Sequence, residues 1–312
     1  PAMRFKRLDL NLLVALDVLL TERNVSRAAE KLFLSQSATS GALARLREYF
    51  HDDLLVQVGR KMVLTPRAQA LAAKVRAVLM QIDGTIIQPP EFDPATIERT
   101  IRIAASDYVV IAGLDRALRE IGRKAPKLTV IVEPPKGDPS TLLAQGDIDL
   151  LAMPEVYLSQ DHPSVEYFSD DYVVITCQSN TRYADTISRE EFFEARHIGM
   201  RFASHTPGYE AWFVKHSGAE RKMAAIAGSF TAVPFLVQGT DTIALLQGRL
   251  ARTFARFLPI KVLPSPIDIP PLVEHLQWHQ FAEGDDCLTW VRDEILAARD
   301  AIDLADSPHH IN

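Results

Sequence analysis

The chain has 312 residues, 47% of them hydrophobic and 24% charged, an ordinary globular composition with room for two or three domains. Its net charge of −6 argues against a nucleic-acid partner only until it is divided. Residues 1–85 hold 13 Lys/Arg against 8 Asp/Glu, and residues 86–312 hold 21 against 32, so an electropositive head joins an acidic body. No apolar run reaches the ~18 residues of a membrane helix, and two cysteines, Cys177 and Cys287, are too few for a disulfide framework. With no charged-then-apolar leader, and Met3 read as the native start behind a foreign Pro1-Ala2, a cytoplasmic location is expected.

In chain order, Asp9 to about Thr21 places Leu12, Leu13, Leu16, Leu19 and Leu20 on one helical stripe. Ser26 is the expected N-cap of a second helix, whose Ala28 and Ala29 allow close approach of a neighbour. A tight Phe33-Leu34-Ser35 turn follows, and Ser35 caps a third helix. On that helix Thr39, Ala42, Leu43, Leu46 and Phe50 share a core-facing arc, while Gln36, Ser37, Ser40, Gly41, Ala44 and Arg47 share the opposite one. Short uncharged hydrogen-bonding side chains at a helix N-terminus suit major-groove base edges, since Gln pairs bidentately with adenine and Ser donates or accepts. The same arc also fits a solvated face of an ordinary helical bundle. Arg45 lies off it, placed for a phosphate or an acidic neighbour.

Residues 54–64 read as a hairpin with Gly59, Arg60 and Lys61 at its tip, a wing whose cations can meet phosphates or the minor groove. Thr65-Pro66 then supply an N-cap and a first-turn proline. The run MRFKRLDLNLLVALDVLLTERNVSRAAEKLFLSQSATSGALARLREYF, followed past the wing by LTPRAQAL, resembles the winged helix-turn-helix domain of LysR-type transcriptional regulators. It looks most like the nodulation-regulator and aromatic-catabolism branch. The likeness departs at Ser37, where the family often has proline, and at Gly41, where it often has a basic residue and a DNA contact. It implies DNA contacts at Gln36, Ser37, Ser40 and Arg60, within an expected set of Ser35, Gln36, Ser37, Ser40, Arg47, Arg60, Lys61 and Thr65.

From Pro66, Ala68, Leu71, Val75, Val78 and Ile82 recur at three- and four-residue spacings, as in a coiled-coil seam. A helix packed on its own domain fits that spacing equally, and the resemblance favours dimerisation. Gln88-Pro89-Pro90 should end the helix, with a hinge over 83–98.

In the body, strand-like runs near 100–104, 128–132 and 148–152 alternate with helical patterns. A second series follows near 172–176, 197–200, 224–227 and 242–245; a strand near 276–278 and a helix over 288–298 return to the first lobe. The rhythm predicts mainly parallel sheets with a cleft at their strand carboxyl ends. This segment resembles the effector-binding domain of LysR-type regulators. The fold class expected is therefore α/β: an N-terminal winged helix-turn-helix (3–65), a linker helix (66–90) and a two-lobed α/β effector-binding domain of periplasmic-binding-protein type (91–302), then a tail. Lobe I would span about 99–171 and 270–302, and lobe II about 172–269. The resemblance maps effector contacts to Ser106, Asp107, Tyr108, Pro135, Met153, Pro154, Arg201, Phe202, His205, Thr206, Phe230 and Val233. Hydroxyls, an imidazole and a guanidinium beside aromatic rings suit a phenol or small aromatic acid. The same positions also fit core phenylalanines, Phe202 and Phe230, and a surface ion-pairing Arg201.

No metal site is expected: the resemblance puts His275 and His279 on a strand, about 13 Å apart, and no Cys/His spacing fits zinc. No catalytic motif is present, so neither an enzyme nor a resident cofactor is expected. The reading is a DNA-binding regulator, an activator by resemblance, responding to a small aromatic inducer and controlling an adjacent catabolic or symbiosis-type operon. Its expected partners are double-stranded promoter DNA, the effector, further copies of itself as a dimer of dimers, and RNA polymerase, but no membrane. The alternatives are a redox-sensing relative using Cys177 and Cys287, and a solute-binding protein of the same two-lobed fold.

Overall fold

A computed structural model describes residues 9, 11–59, 61–82, 92–135, 137–201, 209–216 and 220–306. They group into two compact units, one carrying the elements up to residue 82 together with Thr141–Asp147 and His279–Asp286, and the other carrying two five-stranded sheets.

The first unit runs α1 (Asn11–Glu22), α2 (Val25–Lys31), α3 (Gln36–Phe50), β1 (Leu55–Val58), β2 (Lys61–Leu64) and α4 (Pro66–Ile82). The leucine stripe of α1 is buried whole, and with Ala28, Leu43, Leu46, Leu54, Leu55, Ala68 and Val75 it makes one core. Burying each such leucine stabilises the fold by about 1.5–3 kcal/mol, which is why a three-helix arrangement this small holds together. The α2 cap is Asn24, not Ser26. Asn24 is extended at φ −158 and its carboxamide oxygen accepts the Arg27 N–H, so the helix has begun before Ser26 is reached. Ser35 caps α3 as expected, its Oγ accepting the Ala38 N–H at 3.1 Å. The wing is an antiparallel pair with Leu55 opposite Leu64 and Val58 opposite Lys61; Gly59 takes the left-handed φ of +62 that its turn needs.

The α4 seam needs correction. Ala68 and Val75 are buried, and Leu71 is packed, in the core of the head itself. Arg76 fastens the helix further, its Nε donating to Asp17 at 2.6 Å and its Nη2 to Thr21 at 3.0 Å. Of the expected dimer residues, Val78 is exposed and Ile82 half-buried. A three-and-four spacing reports only that one face is apolar, and here much of that face is covered by α1. The expected hinge and its Pro89-Pro90 lie largely outside the described residues.

The chain continues with β3 (Thr100–Ala105), α5 (Asp107–Val109), a π-helical turn (Val110–Leu114), α6 (Asp115–Lys124), β4 (Thr129–Glu133), α7 (Pro139–Ala144), β5 (Leu150–Pro154) and β6 (Ser164–Asp170). The chain then enters β7 (Tyr172–Cys177), α8 (Arg189–Glu194), β8 (Arg196–Met200), α9 (Tyr209–His216), β9 (Lys222–Ala227) and α10 (Val233–Val237). It ends with β10 (Ile243–Gln247), α11 (Gly248–Ala255), β11 (Ile260–Pro264), β12 (Leu272–Trp278) and α12 (Asp286–Asp306).

Lobe I has strand order β4-β3-β5-β12-β6 and lobe II has β11-β7-β10-β8-β9. Both sheets are mixed rather than mainly parallel. In lobe I, β3 is parallel to β4 and β5, while β12 is antiparallel to β5 and β6. In lobe II, β8 is parallel to β9 and β10, while β7 is antiparallel to β10 and β11. The antiparallel strands are those at the two crossovers between lobes, where the chain must arrive and leave in opposite directions. Gly113, in the π-helical turn, lies so close to β6 that a Cβ there would meet Phe168 at 2.7 Å and Tyr167 at 2.8 Å.

Candidate DNA-binding face and ligand cavity

The face of α3 away from the core presents Gln36, Ser37, Ser40, Gly41 and Ala44 to solvent. Thr39, Leu43 and Leu46 hold the opposite side in the core, so helical periodicity fixes which residues can reach outward. Ser35 and Ser37 hydroxyls lie 3.0 Å apart, and the four free N–H groups of the helix start are partly met by Ser35. A Cβ at Gly41 would touch nothing within 4 Å, so the gap in this face is open surface. Lys61 is exposed on the wing; Arg60 lies outside the described residues.

Two expected contacts are placed differently. Arg47 is half-buried and turned to the wing, its Nε donating to the Asp53 carbonyl at 2.8 Å and its Nη2 to the Leu55 carbonyl at 2.7 Å. A guanidinium bonded twice to backbone is a strut between helix and wing. Thr65 is half-buried as well: its hydroxyl donates to Asp52 at 2.6 Å and accepts the Ala68 N–H, capping α4. Arg45 meets an acidic neighbour, Asp9, at 3.3 Å.

Between the two sheets of the second unit is a cavity of about 100 Å³. That compares with the ~150 Å³ apolar cavity that takes up benzene, so the space suits a ring-sized molecule. Part of its wall comes from the carboxyl ends of parallel strands, where open α/β sheets bind ligands. Ser106 and Tyr108 follow β3, Pro135 follows β4, Met153 and Pro154 end β5, and Phe230 follows β9. These six were expected.

Three other expected residues stand elsewhere. Asp107 ties the lobes, its carboxylate accepting the Thr231 N–H at 2.7 Å and the Phe230 N–H at 3.3 Å. Val233 is core, 1% exposed at the start of α10. Arg201 is exposed, its own N–H bonded to the Ala227 carbonyl, and does not line the cavity. Phe202, His205 and Thr206 lie outside the described residues.

The remaining walls were missed by the sequence reading: Gly137, Pro139, Ala152 and Leu272, and above all Tyr157, Tyr172, Tyr209, Gln247 and Glu274. A usable signal existed for the last two. Gln247 closes the apolar run IALLQ and Glu274 interrupts LVEHLQW, polar residues where strand burial leaves no water.

Rings dominate the cavity. Tyr172 and Tyr209 stack at 6.4 Å with planes 12° apart, and Tyr108 packs edge-on against Phe230 at 6.0 Å across the lobes. The Tyr108 hydroxyl donates to Asp170 at 2.9 Å. Burial raises the Asp170 carboxyl to about 6, against the Arg249 N–H and the Tyr108 hydroxyl, which lower it. Burial raises Glu274 to about 8, and the charge of Asp170 adds to the rise. Tyr108 and Tyr172 are also pushed well above the ordinary phenol value, chiefly by burial. Near neutral pH the cavity therefore presents neutral hydroxyls and a mostly protonated carboxyl. Among the described residues no cation lines it, no His/Cys/Asp/Glu group could hold a metal ion, and no helix is long and apolar enough to cross a membrane. Cys177 and Cys287 are buried and are not joined in a disulfide.

Comparison with known proteins agrees with this division. The model of a bacterial regulatory helix-turn-helix protein of the LysR family matches residues 10–69, and that of the LysR substrate-binding domain matches residues 95–300. Nodulation protein D 1 of Sinorhizobium fredii is 38% identical over 296 residues, covering 94% of this chain and 92% of the relative. Among solved structures, a probable transcriptional regulator from Pseudomonas aeruginosa is 30% identical with a TM-score of 0.64, covering 95% of this chain and 98% of its own. A full-length OxyR variant from the same organism shares the fold at 16% identity, with a TM-score of 0.75 over 92% of this chain and 94% of its own. With both halves matched in order and near full length, the chain belongs to the LysR family of bacterial transcriptional regulators, a family of regulators and not of enzymes.

Proposed function

We propose that the protein is a ligand-responsive activator that binds promoter DNA as a symmetric oligomer and answers to a small aromatic inducer held between the lobes of its second unit. The observation that carries this reading is the tyrosine-lined cavity at the strand carboxyl ends, in a chain whose α3 offers a polar, uncharged face to solvent. Gln36, Ser37 and Ser40 would read bases in the major groove, with Lys61 and Arg60 of the wing against phosphates. Paired half-sites need a two-fold protein, and the outward side of α4 at Val78 supplies an apolar surface for it. The relatives named nodulation protein D support a controlled operon of symbiotic type, and a regulator of promoters works in the cytoplasm.

The test is a footprint on the intergenic DNA next to this gene, with and without a panel of phenolic compounds. Salt-sensitive, sequence-selective protection whose pattern changes with at least one aromatic compound is expected. Protection of random DNA to the same degree would refute the DNA-reading face, and an unchanged footprint across the panel would refute the inducer class.

A further inference from the structure

The turn between α2 and α3 carries a side chain for which the fold has no use. Helix α2 is capped at Leu32; the Phe33 N–H then bonds the Glu30 carbonyl at 3.2 Å, and the Leu34 N–H reaches back to the Ala29 carbonyl at 3.0 Å. This pattern puts Phe33 in the left-handed position of a helix end, at φ 54, where glycine costs least and other residues crowd their own backbone. Leu54 has a similar φ of 59, but its side chain is wholly buried in the core of the head, which offsets the cost. Phe33 gains nothing comparable: it is 95% exposed, and Leu34 beside it is 49% exposed. Resting on the activator reading above, we infer that Phe33 anchors a protein-docking surface on the head, with Leu34 and Glu30 at its edge, whose occupant is RNA polymerase at the adjacent promoter.

The charges around the ring select the kind of partner. Arg27 and Lys31 of α2 are drawn to Glu22 at the end of α1, and Arg27 also donates to the Glu22 carbonyl at 2.7 Å. Glu30 is exposed beside the turn. A phenyl ring and a carboxylate are a poor match for phosphates, which take cations and N–H donors. They match a protein surface with an apolar hollow and a basic rim, because aromatic rings anchor protein interfaces and complementary charge brings the partners together. Proteins that sit on DNA carry such cations. The place of the ring fits the same occupant. Phe33 stands two residues before Ser35, the cap of α3, so the chain between them spans at most ~7 Å. A head with α3 in the major groove therefore holds the ring within reach of whatever is bound to the neighbouring DNA. For an activator that neighbour is the polymerase.

The experiment measures binding of purified bacterial RNA polymerase to a promoter fragment, with and without saturating full-length protein, alone and with each phenolic compound of the footprinting panel. The wild type should tighten polymerase binding by about fivefold or more, the scale of ordinary coupling between two sites. Phe33→Gly puts the favoured residue at this backbone position, so it should melt at or above the wild-type temperature. It should bind operator DNA within about threefold of the wild type, having removed no phosphate or base contact, yet lose the gain in polymerase binding. Glu30→Lys should lose the gain too while binding DNA no more weakly, since it adds a cation near the phosphates. A larger fall in the operator affinity of Phe33→Gly would place the ring on DNA and overturn the inference. A polymerase gain kept by either variant would overturn it as well, leaving the activator reading in place. A wild-type protein that binds its operator but gives the polymerase no gain overturns the inference together with that reading.

Discussion

Replacing Arg47 by alanine separates two roles that a cation at the end of a DNA-facing helix can have. Its guanidinium donates to two backbone carbonyls, Asp53 at 2.8 Å and Leu55 at 2.7 Å, on the segment that leads into the wing. Hydrogen bonds from a charged donor contribute about 1.5–3 kcal/mol each, but Arg47 is half-exposed and water can take over part of the duty. A loss of about 2 kcal/mol is the reasonable sum for both. For a unit of this size that lowers the melting temperature of the head by roughly 8–16 °C. Circular dichroism and calorimetry of the variant read this directly. The discriminating measurement is the salt dependence of DNA binding. A residue holding a phosphate takes about one unit off the slope of log affinity against log salt when removed, whereas a strut leaves the slope as it was. A variant that melts like the wild type but shows a slope shallower by one would refute the geometry and return Arg47 to the DNA.

Four further outcomes follow from three named positions. Gly41→Ala should stabilise the head by about 1 kcal/mol, since a Cβ there meets nothing and glycine is poor in a helix interior; no change in melting would show that α3 is frayed at that point. At the same position Gly41→Lys should tighten DNA binding and steepen the salt slope by about one, and an unchanged slope would mean that this face does not approach the backbone. Gln36→Ala should reduce discrimination between operator and random DNA, and equal weakening on both would make Gln36 a positioning contact. His197 is fully buried on β8, its Nε2–H donating to the Phe192 carbonyl at 2.7 Å, and burial lowers it to about 4. Because the unfolded imidazole takes its proton near 6.5, stability should fall as pH drops from about 6.5 to about 4, by up to ~1.4 kcal/mol per unit. His197→Gln should flatten that part of the profile measured by urea unfolding; an unaltered slope would place the acid sensitivity elsewhere.

The head was legible because its signals are local. A leucine stripe, a serine cap and a glycine at the wing tip each state a backbone conformation within a few residues, and α1, α3 and the hairpin stand where those signals put them. The cap of α2 misled because Asn24 and Ser26 are both good caps, and only the extended backbone at Asn24 distinguishes them. Strand β6 was missed because Ser164, Glu166, Ser169 and Asp170 interrupt its apolar residues. Strand β11 was missed because Pro264 disguises it; a proline is tolerated there, at the end of an edge strand. The cavity was half-legible for a related reason. Residues just after parallel strands can be named from the strand rhythm, but Tyr172, Gln247 and Glu274 come from the antiparallel crossover strands and their neighbour β10, whose pairing no local pattern announces.

The residues that line the cavity are also among those that hold the lobes together, and this bears on how a bound molecule could be felt. Tyr108 contributes a wall and, through its hydroxyl, a bond to Asp170 at the crossover; Asp170 also accepts the Arg249 N–H at 3.1 Å from lobe II. One residue earlier, Asp107 binds the two N–H groups of Phe230 and Thr231, and Phe230 is again a wall. The segment following β3 therefore spans both lobes at the rim of the site, and a ligand held between the lobes would act on the same separation that these bonds set. A ligand shifts an equilibrium only by its difference in affinity for the two states, and typical couplings between sites amount to about 1–3 kcal/mol. One or two hydrogen bonds made in one lobe spacing and lost in the other supply that difference, with no need for a large movement within either sheet.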